Sequence, residues 1–481
     1  MKRAPPERNG DFLRVLVPYC KSYGACHRFS GAEVKPINKR SCSGLISKYA
    51  KPVMIALRLL LLIILGSGTV HANSLTSLWK DSGMEVGGWI NGGITYNANN
   101  PSDGYNGAVT FADRANEFQL NQFNLFLQRA VPSEGSEWGV GGRFDFFFGT
   151  DAIYTQAFGI SAFDENTGEP SQRGNWDLNL CCKSTRTYGI ALPQAYLEAY
   201  VPIGNGLNIK AGHFYTPLGY ETVPAPDNFF YTHAYILNSG EPFTHTGLMG
   251  NYTVNANWSA IAGATTGSAT GGWDGGFDKQ LDNWGGLASV IWTSDDKRTS
   301  ANIGGTYGET ATNQPWLMYS VVLQHRITPK THLVVHHTHG WAAKINLADK
   351  IGNAEWYSVN THLTYDLFKD LSIGMRAERF NDRNGWRVFS PYRILSALNN
   401  KGVSFAGSEP FISAPANYYQ VTLGMNWKPA KRLKTDWKLV QKLNIRPNIR
   451  YDRAEGIDEE FRPFNGRKDQ FLFSLDATIP F

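Results

Sequence analysis

Arg446 and Arg450 stand four residues apart in a stretch where Leu443, Ile445, Ile449 and Tyr451 alternate with Asn444, Arg446, Asn448, Arg450 and Asp452. In an extended chain both guanidinium groups share one face, roughly 13 Å apart. A row of fixed cations beside water attracts anions, and facing carboxylates add a transverse field. Other alternating stretches contribute Arg143, Asp145, Glu198, Lys210, Arg376, Glu378, Asp452 and Asp476 at the same polar parity. Two readings stay open. The charges form a ladder that selects ions, or they simply solvate a water-filled space.

A second group lies in residues 215–244, which hold Pro217, Pro224, Pro226 and Pro242, many aromatics, and the carboxylates Glu221, Asp227 and Glu241. The segment has too many prolines for a strand and is too apolar for a free loop. Either it folds inward and aims its carboxylates at a pore, or it packs over a rim. His332, His336, His337 and His339 cluster in THLVVHHTHG, but at period two they split between faces. That argues against one metal site, and no metal or cofactor is expected. Ser358 and His362 share a parity, yet no nucleophile signature supports them and no enzyme is expected. The adjacent Cys181 and Cys182 are either a vicinal disulfide or two thiols.

The elements that must position these residues are strands. Phe471, Phe473, Leu475, Ala477, Ile479 and Phe481 oppose Gln470, Ser474, Asp476 and Thr478, with Leu472 the one apolar intruder. Such a stretch shows one side to an apolar medium and the other to water. The pattern recurs near 84–97, 117–130, 136–149, 188–201, 206–214, 245–254, 256–265, 285–293, 299–308, 315–327, 331–341, 354–367, 371–380, 417–428, 441–453 and 469–481. In 117–129 the apolar parity switches between Leu120 and Phe123, which points to either a bulge or a strand boundary placed wrongly. About sixteen antiparallel strands are expected, closed into a transmembrane β-barrel. Connection lengths support this. Long ones (98–116, 150–187, 215–244, 266–284, 342–353, 381–416, 454–468) alternate with short, turn-rich ones such as Thr328-Pro329-Lys330 and Phe368-Lys369-Asp370. Long outer loops and short periplasmic turns are the barrel rule. Residues 309–314 are short for a loop, and 429–440 long for a turn.

Positions 53–65, VMIALRLLLLIIL, follow Lys48 and Lys51 and precede Val70-His71-Ala72. That order reads as a secretory signal cleaved after Ala72. Residues 1–72 are thus expected to be a leader, with 1–50 an over-extended start, and 73–481 one barrel domain. Of 46 basic and 41 acidic residues, 12 and 3 lie in 1–72, which leaves 34 against 38. The basic balance belongs to the leader, and nucleic acid is not an expected partner. No apolar run reaches the roughly 20 residues of a membrane helix. The 49 Gly, 14 Trp, 22 Tyr and 27 Phe fit a barrel wall with interfacial aromatics.

The stretch GHFYTPLGYETVPAPDNFFYTHAYILNSGEPFTHTG (Gly212–Gly247), the upstream PQAYLEAYVP (Pro193–Pro202) and the terminal strand ending in Phe481 resemble the OmpL-like outer-membrane β-barrel porin family. The likeness spans Gly88–Phe481, and 212–247 is its specific part. It implies a Gram-negative outer-membrane porin that passes small hydrophilic solutes or ions passively. The alternative is a plugged, non-conducting barrel with a binding or structural role. Expected partners are the lipid bilayer, the solutes and the barrel-assembly machinery, which would read the C-terminal strand at Phe481. A homo-oligomer is left open.

Overall fold

A strand in hydrocarbon must find protein partners on both edges, because no water is there to bond its N–H and C=O groups. A closed ring of strands meets that demand. The computed structural model describes residues 83–132, 134–155, 188–266, 284–309, 315–347, 351–389, 414–433, 437–456 and 458–481. The leader, its apolar run and Cys181–Cys182 lie outside the described residues.

The first strands are β1 (Met84–Asn97), β2 (Phe118–Arg129), β3 (Gly139–Gly149), β4 (Gly189–Ala191), β5 (Ala195–Val201) and β6 (Leu207–Tyr215). Next come β7 (Thr244–Thr253), β8 (Trp258–Thr266), β9 (Gly285–Thr293), β10 (Thr299–Glu309), β11 (Pro315–Thr328) and β12 (Thr331–Asn346). The last are β13 (Ile351–Phe368), β14 (Leu371–Asp382), β15 (Ala416–Trp427), β16 (Asn444–Gly456) and β17 (Asp469–Pro480). They form one antiparallel sheet, and β1 pairs with both β2 and β17, which closes it. Phe481 completes the seam by exchanging backbone hydrogen bonds with Gly88, at 2.9 and 3.3 Å.

The expected strand 188–201 is split. β4 and β5 both pair with β3 and occupy one place in the ring, so the wall has sixteen staves. Pro193 is the cause, since it has no N–H to give the ladder. The neighbouring Gln194 carbonyl still accepts from the Asp145 N–H at 2.8 Å. Of the two readings of the parity switch in β2, the structure shows the bulge: Asn91 pairs with Gln122 and Gly92 with Leu120. The extra residue turns Asn121 and Gln122 both inward, where their amides donate to the two oxygens of Asp151. The loop expected at 342–353 is largely strand: β12 runs to Asn346 and β13 starts at Ile351, and they resume pairing beyond a break at Ala342–Ile345. Lys344, at φ 57, makes that break. The expected turn at 429–440 does hold structure, the one-turn helices Ala430–Leu433 and Lys438–Gln441.

Sidedness follows the alternation. Phe471, Phe473 and Leu475 are 44–48% exposed on the outside of β17, whereas Gln470, Ser474, Asp476 and Leu472 are buried inside. On β15, Val421 and Leu423 face out, and Gln420 and Thr422 face in. An apolar exterior over a polar interior inverts the order of a soluble protein and suits a lipid surround.

Candidate functional site: the occupied lumen

Residues 216–243, between β6 and β7, do not pack over the rim. They turn into the barrel, and every residue from Phe230 to Thr246 is buried. Two short helical turns shape the segment, a 3-10 turn at Ala225–Asp227 and a π turn at Ile236–Gly240. Three inward-facing arginines of the wall hold it. Arg376 on β14 donates to the Glu221 carboxylate at 2.5 Å and to the Thr232 carbonyl at 2.6 Å. On β16, Arg450 binds Asp452 at 2.7 Å and gives Nη1 to the His233 carbonyl at 2.5 Å. Arg446 binds Asp476 at 2.5 Å and donates to the Ala225 and Asn228 carbonyls at 2.8 and 2.7 Å. The guanidinium fork suits this double duty, with one edge for a carboxylate and another nitrogen for a backbone acceptor.

Wall carboxylates serve the segment's donors. The two oxygens of Glu378 accept from the Tyr235 and Ile236 N–H groups, each at 2.7 Å, at the start of the π turn. Asp452 accepts from the Tyr235 hydroxyl at 2.9 Å. Glu221 also accepts from the Ala234 N–H at 2.8 Å and lies 3.4 Å from His233. Burial alone would push the Glu221 carboxyl up, but Arg376, with His233 and His362, holds it well below the ordinary carboxylate range. The wall across the β1–β17 seam contributes through the β2 bulge. Gln122 bonds the Val223 carbonyl and the Ala225 N–H, and Asn121 accepts from the Tyr231 hydroxyl. Near β7, Glu241 meets His336 at 2.8 Å.

The wall is also cut to fit. Inward-facing Gly374, Gly424, Gly304 and Gly93 receive Phe229, Phe230, Leu218 and Tyr231, and a Cβ at Gly374 would lie 2.5 Å from the Phe229 ring. A Gly374→Val substitution should therefore weaken docking by about 1–3 kcal/mol while the strand ladder stays paired. Faster hydrogen exchange at 228–231 with an unchanged barrel melting temperature would show this.

The sequence candidates thus fall into two sets. Arg376, Glu378, Arg446, Arg450, Asp452 and Asp476 face inward as their parity implies, but they are 0–5% exposed and covered by the segment. The arginines, Glu378 and Asp452 take up hydrogen bonds to the segment, and Asp476 pairs with Arg446. Glu221 and Glu241 are likewise buried in ion pairs with the wall. Arg143, Glu198 and Lys210 are only half-buried. Arg143 binds the buried Asp145 at 2.6 Å, and Glu198 stands directly across from Lys210. Asp227 is exposed, and it lines a cavity of about 890 Å³ together with Tyr220, Lys330, His332, Asp366 and Lys428. The histidines divide as their parity requires, His336 inward and His337 and His339 outward. Ser358 donates to Glu378, while His362 lies beside Asn360 and 3.8 Å from Glu221. Among the described residues no group of His, Cys, Asp and Glu is arranged to hold a metal.

The sequence did not reveal the apolar ceiling of the lumen. Trp316, Met318, Trp356, Phe380 and Tyr418 point inward near the long-loop end and pack with Tyr235 of the segment. The signal was adjacent large residues on both parities, as in Trp356-Tyr357 and Tyr418-Tyr419. Nor did the sequence reveal that residues 106–113 and 151–155 turn inward. Phe111 lies 4.5 Å from the His233 ring and 5.1 Å from Tyr154, and Tyr154 donates to Asp113.

This architecture matches known proteins. A family model described as "Putative beta-barrel porin-2, OmpL-like" matches residues 83–481. None of the curated proteins matches the chain. Among solved structures, OprB of Pseudomonas putida at high pH is 13% identical with a TM-score of 0.50, over 86% of this chain and 98% of that one. An anion-selective porin from Comamonas acidovorans is 9% identical with a TM-score of 0.46, over 83% and 99%. OmpT of Vibrio cholerae is 9% identical with a TM-score of 0.46, over 83% and 97%. The sheet closes on itself, its apolar parity faces outward, and the family match runs from residue 83 to residue 481. The chain belongs to the OmpL-like β-barrel porins of the bacterial outer membrane.

Proposed function

We propose that this porin passes small hydrophilic solutes and ions by passive diffusion, and that residues 216–243 form a fixed constriction. The supporting observation is how the segment is held. Three buried arginines and the wall carboxylates Glu378 and Asp452 bind it by charge-assisted hydrogen bonds, one of them to the segment's own Glu221, a much stiffer attachment than a flap would have. A solute would instead meet the partly exposed Arg143, Glu198, Lys210 and Asp227. These carry both signs, so the passage should be weakly ion-selective and governed by size. Phe481, already paired with Gly88 at the seam, is the residue the assembly machinery would read.

Liposome swelling with sugars of increasing size, alongside planar-bilayer recording, tests the reading. Stepwise currents and entry limited to the smallest sugars are expected. A folded, heat-modifiable barrel that carries no current would overturn it and would favour a plugged barrel with a binding role.

A further inference from the structure

The outer face of β12–β17 changes character toward the long-loop end. Lower down it is apolar, with Ile373, Met375, Leu423 and Ile449 exposed. Above them runs a row in which Arg379, Tyr419 and Arg453 stand directly across from one another on β14, β15 and β16. Neighbouring strands lie about 4.8 Å apart, so the two arginines are separated by roughly 10 Å with a tyrosine between them. Both are exposed. Arg379 donates to the Asn417 side-chain oxygen at 3.0 Å and has no carboxylate partner among the described residues. Arg453 pairs with the equally exposed Glu455, two residues on, and stands across from Asp469 on β17, and exposed pairs of that kind contribute little. One step higher, Arg383 and His339 share Glu355, and His339 stacks on Trp341 at 3.9 Å. The same parity on β7–β10 is small or apolar, with Ala262, Ala288 and Ile303, and the short-turn end of β11 and β13 shows Ile327 and Leu367.

Guanidinium groups on a lipid-facing wall are costly at mid-bilayer and nearly free at the headgroup level. Their height and clustering therefore mark an interface that carries anions. The outer leaflet of this membrane is built of phosphorylated glycolipid. We propose that Arg379 and Arg453, with Arg383 above them, form a binding site for the phosphate groups of that glycolipid. Guanidinium matches phosphate bidentately. Asn381, Asn417 and Tyr419, interleaved between the arginines, offer donors and acceptors of the kind sugar hydroxyls need.

The test uses the full barrel in non-ionic detergent. The probes are bisphosphorylated lipid A, the same glycolipid stripped of both phosphates, and phosphatidylglycerol, with binding read by native mass spectrometry. Lipid A should bind most tightly, and loss of its phosphates should weaken it by at least about tenfold. Arg379→Gln with Arg453→Gln should do the same, and Arg129→Gln at the opposite rim should change nothing. Heat-modifiable migration verifies that each variant is folded. If the double variant proves unfolded, Arg379→Lys with Arg453→Lys keeps the charge, loses the fork, and should weaken binding by a smaller factor. Equal binding of the dephosphorylated glycolipid or of phosphatidylglycerol overturns the proposal. So does an unchanged affinity in a folded variant, or a variant whose only change is loss of an oligomer.

Discussion

Removing residues 220–240 should yield a folded barrel whose single-channel conductance is several-fold that of the parent. The residues left behind, 216–219 and 241–243, still have to join only β6 to β7. Those strands are adjacent and pair to their ends, Tyr215 with Thr244. Neighbouring strands lie about 4.8 Å apart, so the shortened connection is long enough. The wall keeps the Arg450–Asp452 and Arg446–Asp476 pairs, since both partners lie on strands. Water entering the widened lumen would solvate them. Arg376 is different, because its carboxylate partner Glu221 leaves with the deletion. The widened channel should therefore favour anions, seen as a reversal potential shifted toward that of the anion in a salt gradient. Unchanged conductance would show that the segment does not limit the passage.

The second large effect belongs to Arg376→Ala. The substitution leaves Glu221 buried without its main counter-charge and the Thr232 carbonyl without its donor. Breaking one side of a buried ion pair costs about 3–5 kcal/mol. Here that cost falls on the docked segment and spares the ladder. The readout is limited proteolysis or hydrogen exchange across 221–235, together with noisier channel currents. Glu221→Gln added to Arg376→Ala should recover part of the loss, since it removes the stranded charge. The pH dependence follows from the carboxyl's sign. A carboxyl whose folded pKa is depressed adds stability above its unfolded pKa, and that stability is lost only as pH falls through the lower folded value. Glu221 lies well below the ordinary carboxylate range, so the parent should keep its segment docked at pH 5. In Arg376→Ala, burial is no longer offset by Arg376, and release should come at a higher pH than in the parent. A release pH that does not move would count against the Glu221–Arg376 pair as the latch.

Much of the wall could be read from the chain, because a strand's period of two is local. The parity of β14–β17, the bulge at Asn121 and the split of the histidines all follow from residues within a few positions of one another. The break at Pro193 was equally local and followed from its missing N–H. What could not be read was which side chains meet across the lumen. Parity turned Arg376, Arg446 and Arg450 inward, but nothing near them in sequence says that carbonyls more than 140 residues away take their hydrogen bonds. The composition of 215–244 posed the question, since prolines, aromatics and carboxylates suit neither strand nor free loop. The inward glycines that accept Phe229 and Phe230 looked like an ordinary glycine-rich wall. They became sockets only once the segment was in place.

The infolded segment touches staves from every side of the ring: Asn121 and Gln122 on β2, Asn302 on β10, His336 on β12, Arg376 on β14 and Arg450 on β16. No partly built sheet presents those groups together. The segment can therefore seat only after the last strand has zipped to the first, and its docking reports on completed assembly. A barrel with one stave out of register would leave this keystone hanging loose, a defect that a protease could recognise before the pore enters service.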